Sequence, residues 1–345
     1  MKTNVLVDGH NLLLDLAPEG QEELTDFDSW RIRKKAFIDD SLRNYGAILF
    51  RGYAIDDVGK FEQAARAISS QLASYVDGNS PRTKISSNIY TSTEYPCEFF
   101  ISLHNELSYA AQWPERLYFC CVVAPEHGGE TPLADSRQIL RALDSEVVAE
   151  FKRRRIKYVR NLHGGKGFGQ SWQQTFETTD PRIVEQYLRE SESTWQWRPD
   201  TGLSIYSNRP ATAYHPRTGE EIWFNQADQF HPSTHPKEVY EAMMALYGGR
   251  EDHFPQNALF GDGAPIPVSM LDHIRAKTNE QTIDFRWQTG DFLVIDNMLI
   301  CHGRRPFTGK RRILVAMSGS VIWKEDCLPQ TQIANRYGNR LNQNI

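Results

Sequence analysis

The segment SLHNELSYAAQWPERLYFCCVV, residues 102–123, sets a histidine and a glutamate two positions apart and then runs into a nearly continuous apolar stretch. RLYFCCVV is short, aromatic and β-branched, with Pro114 before it and Pro125 after it, so it reads as a strand buried on both faces. Extended back to His104, the strand reading points His104 and Glu106 to one side and Asn105 to the other, because side chains alternate along a strand. An imidazole beside a carboxylate is two-thirds of a 2-His-1-carboxylate metal site.

The flanking sequence repeats the strand pattern. NYGAILFRGYAID (Asn44–Asp56) reads as a short buried strand, and VGKFEQAARAISSQLASY as a helix marked by Phe61, Ala64, Ala65, Ile68 and Leu72. IKYVRNL, EEIWFNQ, DFLVIDNMLI and RRILVAMSGSVIW are further short strands, and helices are expected near residues 136–153, 181–191 and 236–247. Many short strands with helical decoration predict a mainly β double-sheet barrel or sandwich, not an alternating parallel sheet. No linker or repeat divides the chain, so one domain is expected over residues 1–345, with helical insertions around 136–200 and 232–285.

Composition narrows the function classes. The 345 residues are 40% hydrophobic and 24% charged, ordinary values for a globular chain with a sizeable core. A net charge of −5 argues against a nucleic-acid partner, whose phosphates call for concentrated positive charge. The one basic cluster, KRRRIK (Lys152–Lys157), follows Leu140, Leu143, Val147 and Phe151 at helical spacing and reads as a solvated helix end. Five cysteines without a CxxC pair suggest neither a disulfide framework nor a thiolate zinc site. MKTNVLVDGHNLLLDL, broken by Asp8 and His10, lacks a signal-peptide pattern, and the longest apolar run, Leu117–Pro125, is too short to span a bilayer. A cytoplasmic protein without a membrane partner is expected, and neither GxGxxG nor GxxxxGK[ST] offers a nucleotide cradle.

The best candidate for a second histidine ligand is His302, in GDFLVIDNMLICHGRRPFTGKRRILVAMSG, 198 residues after His104. An HxE pair on an early strand, a distal histidine and an arginine on the following strand form a combination that resembles the taurine dioxygenase family of Fe(II)/2-oxoglutarate-dependent oxygenases, in the clavaminate synthase-like superfamily. The resemblance runs from NYGAILFRGY to RRILVAMSG. It implies a double-stranded β-helix, or jelly roll, with His104, Glu106 and His302 as iron ligands and 2-oxoglutarate and dioxygen as cosubstrates. It further implies Thr131, in GGETPLADSR, and Arg312, in GKRRILVAMSG, as cosubstrate-binding residues, with Arg311 as the alternative on the other face of the strand.

The same resemblance shapes the substrate expectation. Sulfonate-binding members carry an arginine four positions after the oxoglutarate arginine, where this chain has Ala316. The segments around His104 and WFNQADQFH resemble instead the branch of syringomycin-type aspartyl hydroxylases. Hydroxylation of an amino acid or amino-acid-derived natural-product intermediate is therefore expected, free or on the carrier protein of a peptide synthetase, with 2-oxoglutarate decarboxylated to succinate and carbon dioxide. Desaturation or cyclisation is the alternative outcome, and a jelly-roll binding protein that merely retains metal is the non-enzymatic one. A zinc hydrolase would have no use for the cosubstrate residues. Asn88, Arg209 and Asn225 are expected to line the substrate pocket. Trp113 reads as a buried anchor or lid edge, and His231 and His235, in HPSTH, as loop polarity, because Pro232 and Pro236 preclude a regular helix through both.

Overall fold

The computed structural model describes residues 3–5, 12–16, 26–323 and 327. Asp8 and His10, on which the reading of the amino-terminal segment rested, lie outside the described residues. The largest sheet has seven strands in the order Thr3–Val5, Leu12–Leu16, Ala47–Arg51, Phe292–Asp296, Arg116–Val123, Arg312–Ser318 and Tyr90–Thr91. Its neighbours are antiparallel except Leu12–Leu16 against Ala47–Arg51. Strands far apart in sequence are adjacent here, since Phe292–Asp296 lies between Ala47–Arg51 and Arg116–Val123.

The Arg116–Val123 strand explains its own continuous apolarity. Leu117, Phe119 and Cys121 face one buried cluster, whereas Tyr118 and Cys120 face another that includes Trp30, Leu42, Phe61 and Ala65. The latter four come from helices Phe27–Tyr45 and Val58–Ile68, which cover that face of the sheet. Asp26 and Asp57 cap the two helices by accepting from the Ser29 and Lys60 amides. Gly46 ends the first helix at φ 74°, and an added Cβ would meet Ile300 Cγ1 at 2.6 Å, so glycine fits this passage between helix and sheet.

A second sheet of three short strands, Ile101–His104, Ile300–Arg304 and Leu133–Asp135, carries the metal-type residues. A third, of four strands, joins Thr194–Trp197, Leu203–Arg209, Ile156–Leu162 and Gln256–Phe260. The expected strand Arg116–Val123 and helices Pro181–Glu190 and Lys237–Leu246 are present. The expected helix near 136–153 is two, Ser136–Ala142 and Ser145–Arg154, because the chain leaves helical geometry at Leu143 and Asp144. Lys152, Arg153 and Arg154 occupy the second helix's last turn and pair with Glu221, Glu150 and Asp262, as a solvated helix end should. All five cysteines are free, and Cys120 and Cys121 are buried in the sheet. No helix among the described residues is long and apolar enough to cross a membrane.

Candidate metal centre

His104 and His302 meet because their strands pair. They are direct cross-strand partners, and their ring centroids lie 4.5 Å apart. The register shifts between His302 and Arg304, and Gly303 sits at the irregularity, where a Cβ would come within 2.4 Å of the Ile101 carbonyl. The glycine after His302 is thus what permits the two strands to approach.

Glu106 arrives differently from the expectation. The strand ends at His104, and Glu106 begins a turn in which Leu107 has φ 60°. Alternation along a strand therefore does not account for its position. Asn297 does: its Oδ1 accepts from the Glu106 amide at 2.7 Å, and its Nδ2 donates to the Glu106 and Pro114 carbonyls, both at 2.9 Å. Asn105 points away and donates to the Asn297 carbonyl at 2.7 Å.

One donor atom each from His104, Glu106 and His302 lies within 4.8 Å of the others, and all three residues are buried. Burial pushes the His104 and His302 pKa values down, the latter well down with help from His104 and Arg82, so both rings are neutral bases at neutral pH. His104 Nδ1 lies 2.9 Å from the Ser102 carbonyl, and in the tautomer that donates this bond Nε2 keeps its lone pair. His302 Nδ1 has no hydrogen-bond partner despite its burial. Two neutral imidazoles, a carboxylate and an orphaned ring nitrogen fit a divalent transition metal, and this donor set is the one associated with non-haem Fe(II). Glu106 is already held, by Tyr75, whose hydroxyl donates to Oε1 at 3.1 Å, and by a close ion pair from Arg82 to Oε2.

Beside this group is a cavity of about 30 Å³ lined by, among others, Arg82, Phe119, Thr131, Arg304, Arg311 and Ile313. Thr131 lines this cavity and is buried. Trp287 Nε1 donates to its Oγ1 at 3.1 Å, leaving the hydroxyl proton free for another acceptor. The expectation for Arg312 is corrected: Arg312 is exposed, and its neighbour Arg311 lines the cavity. Arg311, the residue before the strand Arg312–Ser318, lines the cavity together with Ile313, and the register of this strand against Arg116–Val123 shifts between Arg312 and Ile313. Arg311 Nε donates to the Gly129 carbonyl at 3.0 Å and Nη1 to Ser92 Oγ at 3.2 Å, and burial pulls its pKa down to about 10.

Asn88, Arg209 and Asn225 do not line this cavity. Asn88 reaches only Ser74 Oγ, at 3.5 Å. The Arg209 guanidinium donates to the Ser191 carbonyl at 2.7 Å and Ser193 Oγ at 3.2 Å, and Asn225 Nδ2 to the Ala211 carbonyl at 2.8 Å. The polarity of Arg209 and Asn225 satisfies buried backbone carbonyls instead. Trp113 is a buried anchor against Phe224, at 4.7 Å between ring centroids, and His231 caps the short turn Pro232–Thr234. Sequence reasoning missed Tyr75, Arg82, Trp287 and Asn297. Only Asn297 had a signal, as a polar residue ending an otherwise buried strand in DFLVIDNM.

Comparison with known proteins shows the family of the chain. A chain from Enterobacter agglomerans called dapdiamide synthesis protein DdaC is 38% identical over 295 residues, covering 86% of this chain and 88% of that one. Clavaminate synthase-like protein At3g21360 of Arabidopsis thaliana is 30% identical over 295 residues, covering 82% and 84%. Among solved structures, PvcB of Pseudomonas aeruginosa, an Fe, alpha-ketoglutarate dependent oxygenase, shares the fold at a TM-score of 0.50 and 16% identity, with coverage of 89% and 85%. The family model described as taurine catabolism dioxygenase TauD, TfdA family matches residues 12–317, so the chain is a dioxygenase belonging to that family.

Proposed function

We propose that this dioxygenase uses Fe(II) and 2-oxoglutarate to hydroxylate an unactivated C–H bond of an amino acid or amino-acid-derived natural-product intermediate, free or presented by a carrier protein. The observation that carries the reading is the junction of His104, Glu106 and His302 with a pocket holding both Thr131 and Arg311. The seven-stranded and three-stranded sheets are read as the facing walls of a jelly roll. The similarity to a protein named for dapdiamide synthesis supports a place in natural-product assembly.

Bound ferrous iron would activate dioxygen, with 2-oxoglutarate oxidised to succinate and carbon dioxide as substrate is oxidised. The chain's own residues bind and orient. His104, Glu106 and His302 hold the metal through three protein atoms and leave its remaining positions to small molecules. Arg311 presents a guanidinium, and Thr131 a free hydroxyl proton, to the cosubstrate's remote carboxylate, an arrangement suited to a charged acceptor. Phe119, Ile101 and Ile313 keep the pocket walls apolar.

Anaerobic addition of Fe(II) and 2-oxoglutarate should produce the metal-to-ligand charge-transfer absorption of a chelated keto acid. Mass spectrometry over free and carrier-linked amino acids should then find a product heavier by one oxygen atom, with stoichiometric succinate. Absence of the absorption would remove the cofactor assignment, and a product lighter by two hydrogens would replace hydroxylation with desaturation.

A further inference from the structure

Three guanidiniums, those of Arg82, Arg304 and Arg311, line the cavity beside the metal-type residues. Two of the three guanidiniums have structural duties. Arg304 donates to the carbonyls of Tyr95, Pro96 and Phe99 at 2.7–3.0 Å, pinning that loop to the metal strand. Arg311 is tied to Gly129 and Ser92 next to Thr131, where the remote carboxylate of the cosubstrate is accounted for.

Arg82 has no such duty. Its side chain is 3% exposed, it lies 4.4 Å from the Tyr75 ring centre, and Nη2 pairs with Glu106. Nε and Nη1 are buried without any hydrogen-bond partner. Holding Glu106 uses one corner of the guanidinium and leaves those two donors desolvated, a cost that native interiors ordinarily avoid. An acceptor supplied by a ligand removes it.

Resting on the Fe(II)/2-oxoglutarate reading, we infer that Arg82 is the receptor for the substrate's carboxylate, and that the substrate enters as a carboxylic acid with that group free. A substrate carboxylate would give Arg82 Nε and Nη1 the acceptor that the chain itself does not supply. A substrate esterified to a carrier through the same carboxyl group lacks the anion and is disfavoured.

The test uses the full chain loaded anaerobically with Fe(II) and 2-oxoglutarate, whose charge-transfer absorption reports both sites without turnover. Free L-amino acids and their N-acetyl derivatives are titrated in, each as a carboxylate and as the matching primary amide. In the wild type the compounds that perturb the band are carboxylates, at least about tenfold tighter than their amides, as a buried charge-assisted hydrogen bond requires. In Arg82→Gln, compared at saturating Fe(II) and 2-oxoglutarate, the preference shrinks to about threefold or less, while Arg82→Lys recovers part of it. Amides binding as tightly as carboxylates, no carboxylate perturbing the band, or undiminished preference in Arg82→Gln would each overturn the inference. A folded Arg82→Gln needing more 2-oxoglutarate assigns Arg82 to the cosubstrate, and one that loses iron makes it only a support for Glu106; either result overturns it too. If the wild type never shows the band, the cofactor reading fails first. Should Arg82→Gln not fold, judged by circular dichroism, the wild-type comparison of acids with amides still decides.

Discussion

Two buried polar clusters in this molecule are built to opposite specifications. Around Asp77 the hydrogen-bonding capacity is nearly exhausted. Arg160 forms a close pair with Oδ1, Tyr187 donates to Oδ2 at 2.9 Å, Tyr109 donates to the carbonyl at 2.7 Å, and the Asp77 amide donates to Thr175. The single orphan nearby is Arg209 Nε. Around the metal-type residues, His302 Nδ1, Arg82 Nε and Nη1, and Arg304 Nε all lack partners. In the first cluster Arg160 closes on Asp77 and Arg209 beside it is spent on the Ser191 carbonyl; the second has several donors left over. The difference separates structure from function: a network that only holds the fold can be completed by the chain, whereas a binding site must leave valences for what it binds.

That contrast can be broken at several points. The largest effect is expected from His302→Ala, which should abolish ferrous iron retention, measured by equilibrium dialysis, while the Asp77 cluster stays intact. Arg160→Leu should do the reverse. Leaving Asp77 buried without its cation should cost about 3–5 kcal/mol in urea unfolding, yet iron content at low temperature should match the wild type. Equal stability loss in both variants would erase the distinction.

Smaller effects sharpen it. Arg311→Ala should raise the 2-oxoglutarate concentration for half-saturation by about 10- to 100-fold, and Arg312→Ala by less than about twofold, since Arg312 is exposed. A shift in Arg312→Ala alone would restore the other register. The smallest effect concerns the metal-free chain. Burial holds the His104 and His302 pKa values below 6.5, so as pH falls through about 6.5 the unfolded chain binds protons that the folded chain refuses. Stability is therefore present above that pH and is lost as pH falls toward the lowered folded values. Thermal unfolding at pH 7.5 and pH 5.5 should show this loss, and His302→Gln should reduce it.

Local sequence carried much of this. RLYFCCVV reads as a strand because it buries six consecutive residues, Arg116 to Cys121, on two faces, and the helices at 181–190 and 237–246 followed from their spacing and their Pro and Gly boundaries. His104 and Glu106 were nameable from their residue types and spacing, and His302 and Thr131 from the resemblance to the family. Local pattern failed where two solutions were locally equivalent. In KRRIL either arginine could face inward until the pairing of Arg312–Ser318 with Arg116–Val123 fixed the register. Asn88, Arg209 and Asn225 were polar residues in suggestive segments; buried backbone claimed Arg209 and Asn225, and Asn88 reaches only the Ser74 hydroxyl.

By itself, then, the sequence determined the strand-rich character of the chain and the donor types available to a metal, because both depend on side-chain chemistry and its period along the backbone. Only the tertiary structure decided that Asn297 carries Glu106 off the end of its strand, that Arg311 turns inward, and that Arg82 reaches the metal-type carboxylate with two donors unspent. Those outcomes depend on pairing between segments up to about two hundred residues apart, and no local preference encodes which of several compatible pairings leaves the fewest groups unsatisfied.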